Sequence, residues 1–206
     1  MTGCLVVVPM KDPALSKTRL GPDLDPAARA SLARLLLSRT LDLLTDLKAA
    51  TAFDLAVVTA SREVTGLAAR KGVAVIRETE RPGLNGALAT AARHAETHGF
   101  RSFCALPADL AAPDPADILR LLSFAGEKDT AFVCPSVDRG TNALLVTPPN
   151  AMAFRFGAGS ARRHLEEAEA QGLTARLLPL ESLKYDIDTA AHLARAARRL
   201  PELDVS

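Results

Sequence analysis

The sequence predicts an α/β fold in which a mixed but mostly parallel sheet is covered by helices on both faces. Short apolar runs alternate with longer amphipathic stretches along the chain, which is the pattern of alternating strands and helices. The apolar runs are continuous, as in strands that are buried on both faces. Two of them, residues 130–134 and 143–146, are joined by too little chain for a crossover helix, so they indicate an antiparallel pair.

The first strand is predicted at residues 4–8, a β-branched run that Pro9 ends. The first helix is predicted at residues 26–48, because Asp25 is a candidate N-cap, Pro26 suits the first helical position, and leucines recur near the helical period. The remaining strands are predicted, in chain order, at residues 55–59, 73–76, 102–106, 130–134 and 143–146. The remaining helices are predicted at residues 64–71, 84–98, 115–124, 161–171 and 189–198.

The composition is that of a globular protein, and we expect a single domain spanning residues 1–206. An apolar fraction of 48% is too high for a disordered chain, and 206 residues suffice for one hydrophobic core. Lysine and arginine total 25 against 24 acidic residues, which gives a net charge of +1. This balance argues against a protein that coats nucleic acid or an anionic membrane through bulk charge.

Neither export nor zinc binding is indicated. No apolar run approaches the roughly 20 residues that cross a bilayer. The first residues lack the basic start and long apolar core of a signal peptide, so we expect a cytoplasmic protein without a membrane partner. The three cysteines, Cys4, Cys104 and Cys134, lie in or beside apolar runs and predict buried, reduced thiols. No set of cysteines and histidines has the spacing of a structural zinc site.

A basic loop follows the first predicted strand. Its polar residues include Lys11, Lys17, Thr18 and Arg19. Three cations and a hydroxyl group at the carboxyl end of a strand, where α/β sheets bind ligands, suit a polyphosphate. The loop is neither a P-loop nor a dinucleotide-binding fingerprint, because the glycines of both motifs are absent. The alternative is a solvated basic loop without a ligand.

A glycine-bearing segment precedes another predicted helix. Gly157 and Gly159 allow the backbone to approach a ligand closely, and Ser160 is a candidate N-cap. The first helical turn then carries Arg162 and Arg163, whose charges oppose the helix macrodipole by about 0.3–1 kcal/mol each. A bound anion at the helix start would remove this conflict. The alternative is that both arginines pair with acidic neighbours.

Three aspartates follow predicted strands or extended segments. Asp109 comes directly after the strand at residues 102–106, and Asp186 and Asp188 are two residues apart. In an extended segment, positions two apart share a face, so both carboxylates would point the same way. Carboxylates this close repel unless a cation joins them, and Mg²⁺ accepts such oxygen ligands together with substrate phosphates. The alternative for Asp188 is that it only caps the following helix.

Two more polar segments are candidates for substrate contacts. Asn85 begins a predicted helix and is either a cap or an amide that contacts a base or ribose. Thr141 and Asn142 end a glycine-containing link between the antiparallel strands, which is either a plain hairpin turn or a source of polar groups at the ligand edge. The four histidines lie on predicted helices without a nucleophile or carboxylate pattern, so we expect no catalytic role for them. No Gly-x-Ser-x-Gly motif of acyl-transfer hydrolases occurs.

In their order and spacing, these segments resemble the CofC-type guanylyltransferases of deazaflavin coenzyme biosynthesis, which include 2-phospho-L-lactate guanylyltransferase and its phosphoenolpyruvate-using relatives. The resemblance covers nearly the whole chain. The matching stretches are residues 8–11, 16–20, 83–88, 106–110, 138–142, 156–160 and 185–189.

The resemblance implies a nucleotidyltransferase fold (GT-A or Rossmann-like), Mg²⁺ as cofactor, and transfer of GMP from GTP to a small phosphorylated acid with release of pyrophosphate, in coenzyme F-420 biosynthesis. It also implies roles for the matching residues. The triphosphate would be held by Lys17 and Arg19, with Lys11 beside them, and the nucleoside would face Asn85. The catalytic set would be Lys17, Asp109, Asp186 and Asp188, and the three aspartates would hold the metal.

On the acceptor side, the resemblance implies that Thr141, Gly157 and Ser160 hold the phosphorylated acid through hydroxyl and backbone N–H groups. It leaves open whether that acid is 2-phospho-L-lactate, phosphoenolpyruvate or 3-phosphoglycerate. We expect a monomer or homodimer, with possible hand-off of the product to the next enzyme of the pathway. The alternatives are a nucleotidyltransferase for a sugar 1-phosphate or a molybdopterin, and a regulator that binds a nucleotide without turnover.

Overall fold

The computed structural model describes residues 2–78 and 83–198; Met1, residues 79–82 and residues 199–206, all within the predicted domain, lie outside the described chain. The described residues form one sheet with the strand order β3-β2-β1-β4-β6-β5-β7. The strands are β1 (Thr2–Pro9), β2 (Phe53–Thr59), β3 (Ala74–Arg77), β4 (Phe100–Ala105), β5 (Thr130–Pro135), β6 (Thr141–Thr147) and β7 (Thr174–Leu177). Within this sheet β6 alone runs against the other strands, because it pairs antiparallel with both β4 and β5. The mixed, mostly parallel sheet is therefore confirmed.

Helices cover both faces of this sheet, as the sequence predicts. The α-helices of the described residues are α1 (Pro26–Ala50), α2 (Arg62–Arg70), α3 (Leu84–Thr97), α4 (Pro115–Leu122), α5 (Ser160–Ala170) and α6 (Ala190–Ala197). Alternate residues of β1 divide between two hydrophobic cores. Val6 and Val8 pack with α1, α2 and α4 on one face, whereas Leu5 and Val7 pack with α3 and α5 on the other.

A third, smaller core fixes the loops that reach the candidate site. It joins Leu20, from the basic loop, to Leu32 and Leu36 of α1 and to Ile187 of the segment that carries two of the aspartates. Leu20 and Ile187 are fully buried. Their burial holds two segments that are distant in sequence at fixed positions beside each other.

All of the predicted strands and helices are found, with each end moved by at most two residues. The N-cap of α1 is Asp25 as predicted, since its side chain accepts a hydrogen bond from the Ala28 N–H group. The predicted N-cap Ser160 is wrong: the cap is Gly159, in a left-handed conformation with φ of 64°, and Ser160 is the first helical residue. The strand β7 was not predicted, because its residues are largely exposed and it pairs with β5 at an edge of the sheet.

The three cysteines are free and buried, which confirms that prediction. Burial raises the pKa of the Cys104 thiol to about 12 and also raises the pKa values of Cys4 and Cys134. These thiols are therefore packing groups of the core. Across residues 2–78 and 83–198, none of the helices has both the length and the apolar character needed to cross a membrane.

Candidate active site

A cavity of about 550 Å³ opens at the carboxyl ends of β1 and β4. The chain that leaves β1 supplies Lys11, Lys17 and Arg19 to its lining, and the chain that leaves β4 supplies Asp109. The start of α3 closes another side with Gly83 and Leu84, among other residues. This position, outside the carboxyl ends of neighbouring parallel strands, is where open α/β sheets bind ligands.

Asp109, Asp186 and Asp188 come together at this edge of the sheet. Each offers one carboxylate oxygen, and the three oxygens lie within 4.8 Å of one another. Their proximity follows from backbone pairing: the Ile187 N–H group donates to the Asp109 carbonyl oxygen at 2.9 Å, beside a short antiparallel bridge between Leu110 and Asp186. The two aspartates thus flank a buried isoleucine in an extended segment, as the sequence predicts.

The side chain of Lys17 reaches into this group of three aspartates, which we call the acid cluster. Its ammonium nitrogen lies 2.7 Å from Asp109 Oδ2 and 3.3 Å from Asp188 Oδ1, and the side chain is only 7% exposed. Burial alone would lower the pKa of Lys17, but the two carboxylates outweigh it and raise the pKa above its usual value. Lys17 is therefore a fixed positive charge between two of the acids.

Arg19 reaches the outer side of the same cluster. Its guanidinium lies 3.2 Å from Asp188 Oδ2, and the side chain is 73% exposed. The same guanidinium contributes to the lowered pKa of Asp138, whose main cause is a hydrogen bond from the Ser136 hydroxyl. The charge of Arg19 thus acts on both Asp188 and Asp138. Lys11, also predicted as a phosphate contact, is exposed in the cavity wall.

The acid cluster has the donor set that a hard divalent cation requires. Burial raises the pKa of Asp186, and the negative charges of Asp109 and Asp188 raise it further. A cation such as Mg²⁺ would relieve this repulsion and would find carboxylate oxygens, its preferred ligands. The capping alternative for Asp188 is wrong, because the N-cap of α6 is Thr189, whose side chain accepts a hydrogen bond from the His192 N–H group.

The amide of Asn85 pairs with the backbone of Phe156. Its Nδ2 donates to the Phe156 carbonyl oxygen at 3.2 Å, and its Oδ1 accepts from the Phe156 N–H group at 2.8 Å. Each polar end of the amide thus makes one hydrogen bond to the backbone of the same residue. The side chain fastens the start of α3, which borders the cavity, to the loop before α5. The amide keeps a second N–H group and a second oxygen lone pair, and Asn85 is exposed, so its nucleoside contact stays a prediction.

Thr141, Gly157 and Ser160 are brought together, but they do not line the cavity. The Ser160 hydroxyl donates to Thr141 Oγ1 at 3.1 Å, and the Ser160 N–H group donates to the Gly157 carbonyl oxygen at 3.1 Å. Thr141 is 7% exposed and Ser160 is 1% exposed. The backbone N–H of Ser160, expected to hold the acid, is therefore engaged within the loop. Asn142 is buried too, and its Nδ2 donates to the Leu183 carbonyl oxygen.

The two arginines at the start of α5 have partners within the protein. Arg162 Nε lies 2.6 Å from Glu166 Oε1, four residues further along the helix. Arg163 donates to the Ala158 carbonyl oxygen at 2.8 Å. The Ala161 N–H group donates to the Arg139 carbonyl oxygen at 3.2 Å, which satisfies one group of the helix N-terminus. The pairing of Arg162 follows the alternative in which an acidic neighbour relieves the charge.

His164, for which no role was predicted, lies at the centre of the Thr141 cluster. Its Nδ1 is 2.9 Å from Thr141 Oγ1, and its Nε2 accepts a hydrogen bond from the Arg155 N–H group at 2.9 Å. The ring packs edge-on against Phe156, with ring centroids 4.7 Å apart. The sequence contains one signal for this residue: His164 stands four residues after Ser160, on the same face of α5.

A family model described as guanylyl transferase CofC like matches residues 4–196 of the chain. The chain is 39% identical, over 184 residues, to 3-phospho-D-glycerate guanylyltransferase of Colwellia psychrerythraea, covering 89% of this chain and 86% of that protein. It is 40% identical, over 190 residues, to phosphoenolpyruvate guanylyltransferase of Rubrobacter xylanophilus, covering 92% of this chain and 91% of that protein.

Solved structures share the fold at low sequence identity. A protein of Desulfovibrio desulfuricans described as a nucleotide-diphospho-sugar transferase superposes with a TM-score of 0.79 at 19% identity, covering 97% of this chain and 88% of that one. Glucosyl-3-phosphoglycerate synthase of Mycobacterium tuberculosis, solved with Mg²⁺ and uridine diphosphate, superposes with a TM-score of 0.60 at 13% identity, covering 87% and 69%. These likenesses confirm the predicted fold class.

Proposed function

The chain belongs to the family of CofC-like guanylyl transferases, and we propose that it transfers a guanylyl group from GTP to a small phosphorylated carboxylic acid, with release of pyrophosphate. One observation carries the proposal: Asp109 and Asp188 of the acid cluster line, with Lys17 between them, a cavity of nucleotide size, and Asp186 lies beside them. The relatives named for 3-phospho-D-glycerate and phosphoenolpyruvate support a phosphorylated three-carbon acid as the acceptor.

The reaction brings two anionic groups together. An oxygen of the acceptor phosphate forms a bond to the α-phosphorus of GTP, the bond from that phosphorus to the bridging oxygen breaks, and pyrophosphate leaves with the electron pair. The attacking oxygen is already ionised, so no general base is needed. The protein contributes position and neutralisation of charge, which agrees with a site built from cations and carboxylates.

On the nucleotide side, Lys17 and Arg19 would neutralise the triphosphate, and Lys11 stands in the same cavity wall. Asp109, Asp186 and Asp188 would hold Mg²⁺, which would neutralise phosphate charge when bound. Lys17 already contacts two of these carboxylates. Its charge therefore offsets part of the repulsion within the cluster.

On the acceptor side, Thr141, Gly157 and Ser160 form a separate cluster at the start of α5, outside the lining of the cavity. We assign the acid to this side, because a second anion needs a place apart from the triphosphate. Asn85 joins the two sides by fastening Phe156 to the start of α3. Its proposed role is therefore to hold the loop before α5, on the acceptor side, next to the start of α3, on the nucleotide side.

We further propose a cytoplasmic, single-domain enzyme of coenzyme F-420 biosynthesis, monomeric or homodimeric, that hands its product to the next enzyme of that pathway. The +1 net charge favours small-molecule substrates over nucleic acid. Turnover with 2-phospho-L-lactate, phosphoenolpyruvate and 3-phosphoglycerate in turn identifies the acceptor.

The test is incubation of the protein with Mg²⁺, one nucleoside triphosphate and one acid at a time, with mass detection of the product. We expect a guanylyl adduct of at least one of the three acids, formed with GTP in preference to ATP, CTP or UTP. D186N is expected to lose this activity, whereas D46N, a change at an exposed acid on α1, retains it. Product formed only from a sugar 1-phosphate or a molybdopterin, or GTP binding without any product, would contradict the proposal.

A further inference from the structure

His164 lies in the interior with both ring nitrogens engaged. The residue is 0% exposed, and its two nitrogens contact groups from different segments. Nε2 is 2.9 Å from the Arg155 backbone nitrogen, and Nδ1 is 2.9 Å from Thr141 Oγ1. The Phe156 ring packs against the imidazole and restricts its rotation. The ring orientation is thus defined on three sides.

These contacts fix the tautomer of His164. A backbone N–H group can only donate, so Nε2 must accept and carries no proton. A neutral imidazole then bears its proton on Nδ1, and this N–H group donates to Thr141 Oγ1. A charged imidazolium would direct a second N–H group at the Arg155 N–H group, which the packing does not accommodate.

The direction of these hydrogen bonds determines what the Thr141 hydroxyl can do. Its oxygen accepts from His164 Nδ1 and from the Ser160 hydroxyl, which is 3.1 Å away. A hydroxyl oxygen has two lone pairs, and both are then used. Among the described residues, no third hydrogen bond of Thr141 Oγ1 is found, so its own hydrogen is available as a donor.

We propose that His164 is a positioning residue for the acceptor acid: it fixes the Thr141 hydroxyl as a hydrogen-bond donor to an anionic oxygen of that acid. The inference rests on the proposed function, in which Thr141 belongs to the acceptor side. A hydroxyl that could rotate would also present its lone pairs, and a lone pair repels an anion. With both lone pairs occupied, the group recognises acceptors only, as phosphate and carboxylate oxygens are.

The electrostatic surroundings keep this arrangement in one protonation state. Burial, together with the charges of Arg163 and Arg155, lowers the pKa of His164 to about 4, although Glu167 acts in the opposite direction. The imidazole is therefore neutral at physiological pH, and the direction of the hydrogen bonds does not change there.

Two variants separate the two contacts of the ring. In H164N, the amide nitrogen takes the place of Nδ1 and still donates to Thr141. In H164Q, the amide oxygen takes the place of Nε2 and still accepts from Arg155, but the donor to Thr141 is lost. We expect H164Q to raise KM for the acid about tenfold, the effect of roughly 1.4 kcal/mol, with KM for GTP unchanged. H164N should keep KM for the acid within about threefold of the wild-type value, which corresponds to a change of roughly 0.6 kcal/mol at most.

A merely structural role predicts a different pattern. If His164 only holds the loop at Arg155, H164Q will be the milder variant, and this order would overturn the inference. Equal effects of both variants, or equal changes in KM for the acid and for GTP, would overturn it as well. Wild-type protein without turnover on any of the three acids would instead contradict the proposed function, and the inference would fall with it.

A spectroscopic measurement on the unmodified protein checks the tautomer without relying on a variant that folds. Nitrogen-15 NMR of the histidine side chains, with His164 identified by its absence in H164N, is expected to show a protonated Nδ1 and an unprotonated Nε2 at neutral pH. A proton on Nε2, or a doubly protonated ring, would overturn the inference.

Discussion

The ammonium group of Lys17 lies 2.7 Å from Asp109 Oδ2, although 92 positions separate the two residues in the chain. Lys17 adopts a left-handed backbone conformation with φ of 54°, which costs a residue with a side chain about 1–2 kcal/mol. The fold maintains this backbone conformation, and the conformation directs the Lys17 side chain into the acid cluster. Strain of this kind is typical of positions where function constrains the backbone.

Removing this cation should weaken both folding and nucleotide binding. K17A leaves the three carboxylates of the acid cluster without their internal counter-charge, and we expect the free energy of unfolding to fall by about 1–3 kcal/mol in the absence of metal. Mg²⁺ should restore part of that lost stability, and KM for GTP should rise in K17A.

Urea denaturation with and without Mg²⁺ measures the change in stability. K48A, which breaks an exposed pair with Asp54, is the control with a small loss. A K17A protein as stable as K48A would contradict this role.

The Asn85 side chain is expected to stabilise the loop of the acceptor side. N85A removes two hydrogen bonds to the Phe156 backbone, and we expect a loss of about 1 kcal/mol in unfolding free energy together with a higher KM for the acid. N150A, which removes one exposed hydrogen bond to Glu96, is the matched control. If N85A raised KM for GTP but not for the acid, a direct contact of the amide with the nucleoside would be the better account.

Gly157 has a φ of 130°, a conformation that residues with side chains rarely adopt, and a Cβ atom there would lie 3.3 Å from Arg163 Nη2. G157A should therefore lower the unfolding free energy by about 1–2 kcal/mol. G66A is the opposite case, because Gly66 is helical and a Cβ atom there meets only an ordinary contact with Arg70 at 3.5 Å. It should stabilise the protein by about 0.5–1 kcal/mol. Thermal unfolding of both variants checks the contrast, and equal shifts would refute it.

His164 should make the protein less stable in acid. Its pKa is about 4 in the folded protein and near the usual 6.5 in the unfolded chain, so the unfolded state binds the extra proton between these values. Protonation of His164 in the unfolded state costs no stability above pH 6.5. As the pH falls toward 4, it lowers the unfolding free energy by up to about 3 kcal/mol. The difference in unfolding free energy between the wild type and H164N, measured from pH 7 to pH 4, isolates it from the carboxylates. A difference that does not vary with pH would contradict a buried neutral imidazole.

Most elements of the sheet and the shared face of Asp186 and Asp188 could be predicted because local sequence determines them. The strand of residues 4–8 and the helix that Asp25 caps are visible in apolar periodicity and capping residues. The two-residue spacing of Asp186 and Asp188 places both on one face once the segment is extended. Edge strand β7 lacked such a signal, because its residues are not alternately buried.

Polar contacts between distant segments could not be predicted. Nothing in the local pattern around Asn85 predicts its two hydrogen bonds to a backbone 71 positions away. The sequence predicts no catalytic role for His164, since nothing in the local pattern shows that Thr141 and Arg155 form hydrogen bonds with its ring. Lys17 was identified as a phosphate contact, whereas its ion pairs with the aspartates emerge only from the fold.

The central claim is that the acid cluster binds a divalent cation beside the nucleotide cavity. Titration with Mn²⁺, followed by electron paramagnetic resonance in the presence of a non-hydrolysable GTP analogue, measures this directly. The account predicts that D186N and D188N weaken Mn²⁺ binding at least about tenfold, the equivalent of roughly 1.4 kcal/mol, while D46N binds as tightly as the wild type. Equal Mn²⁺ affinity in the wild type, D186N and D188N would contradict it.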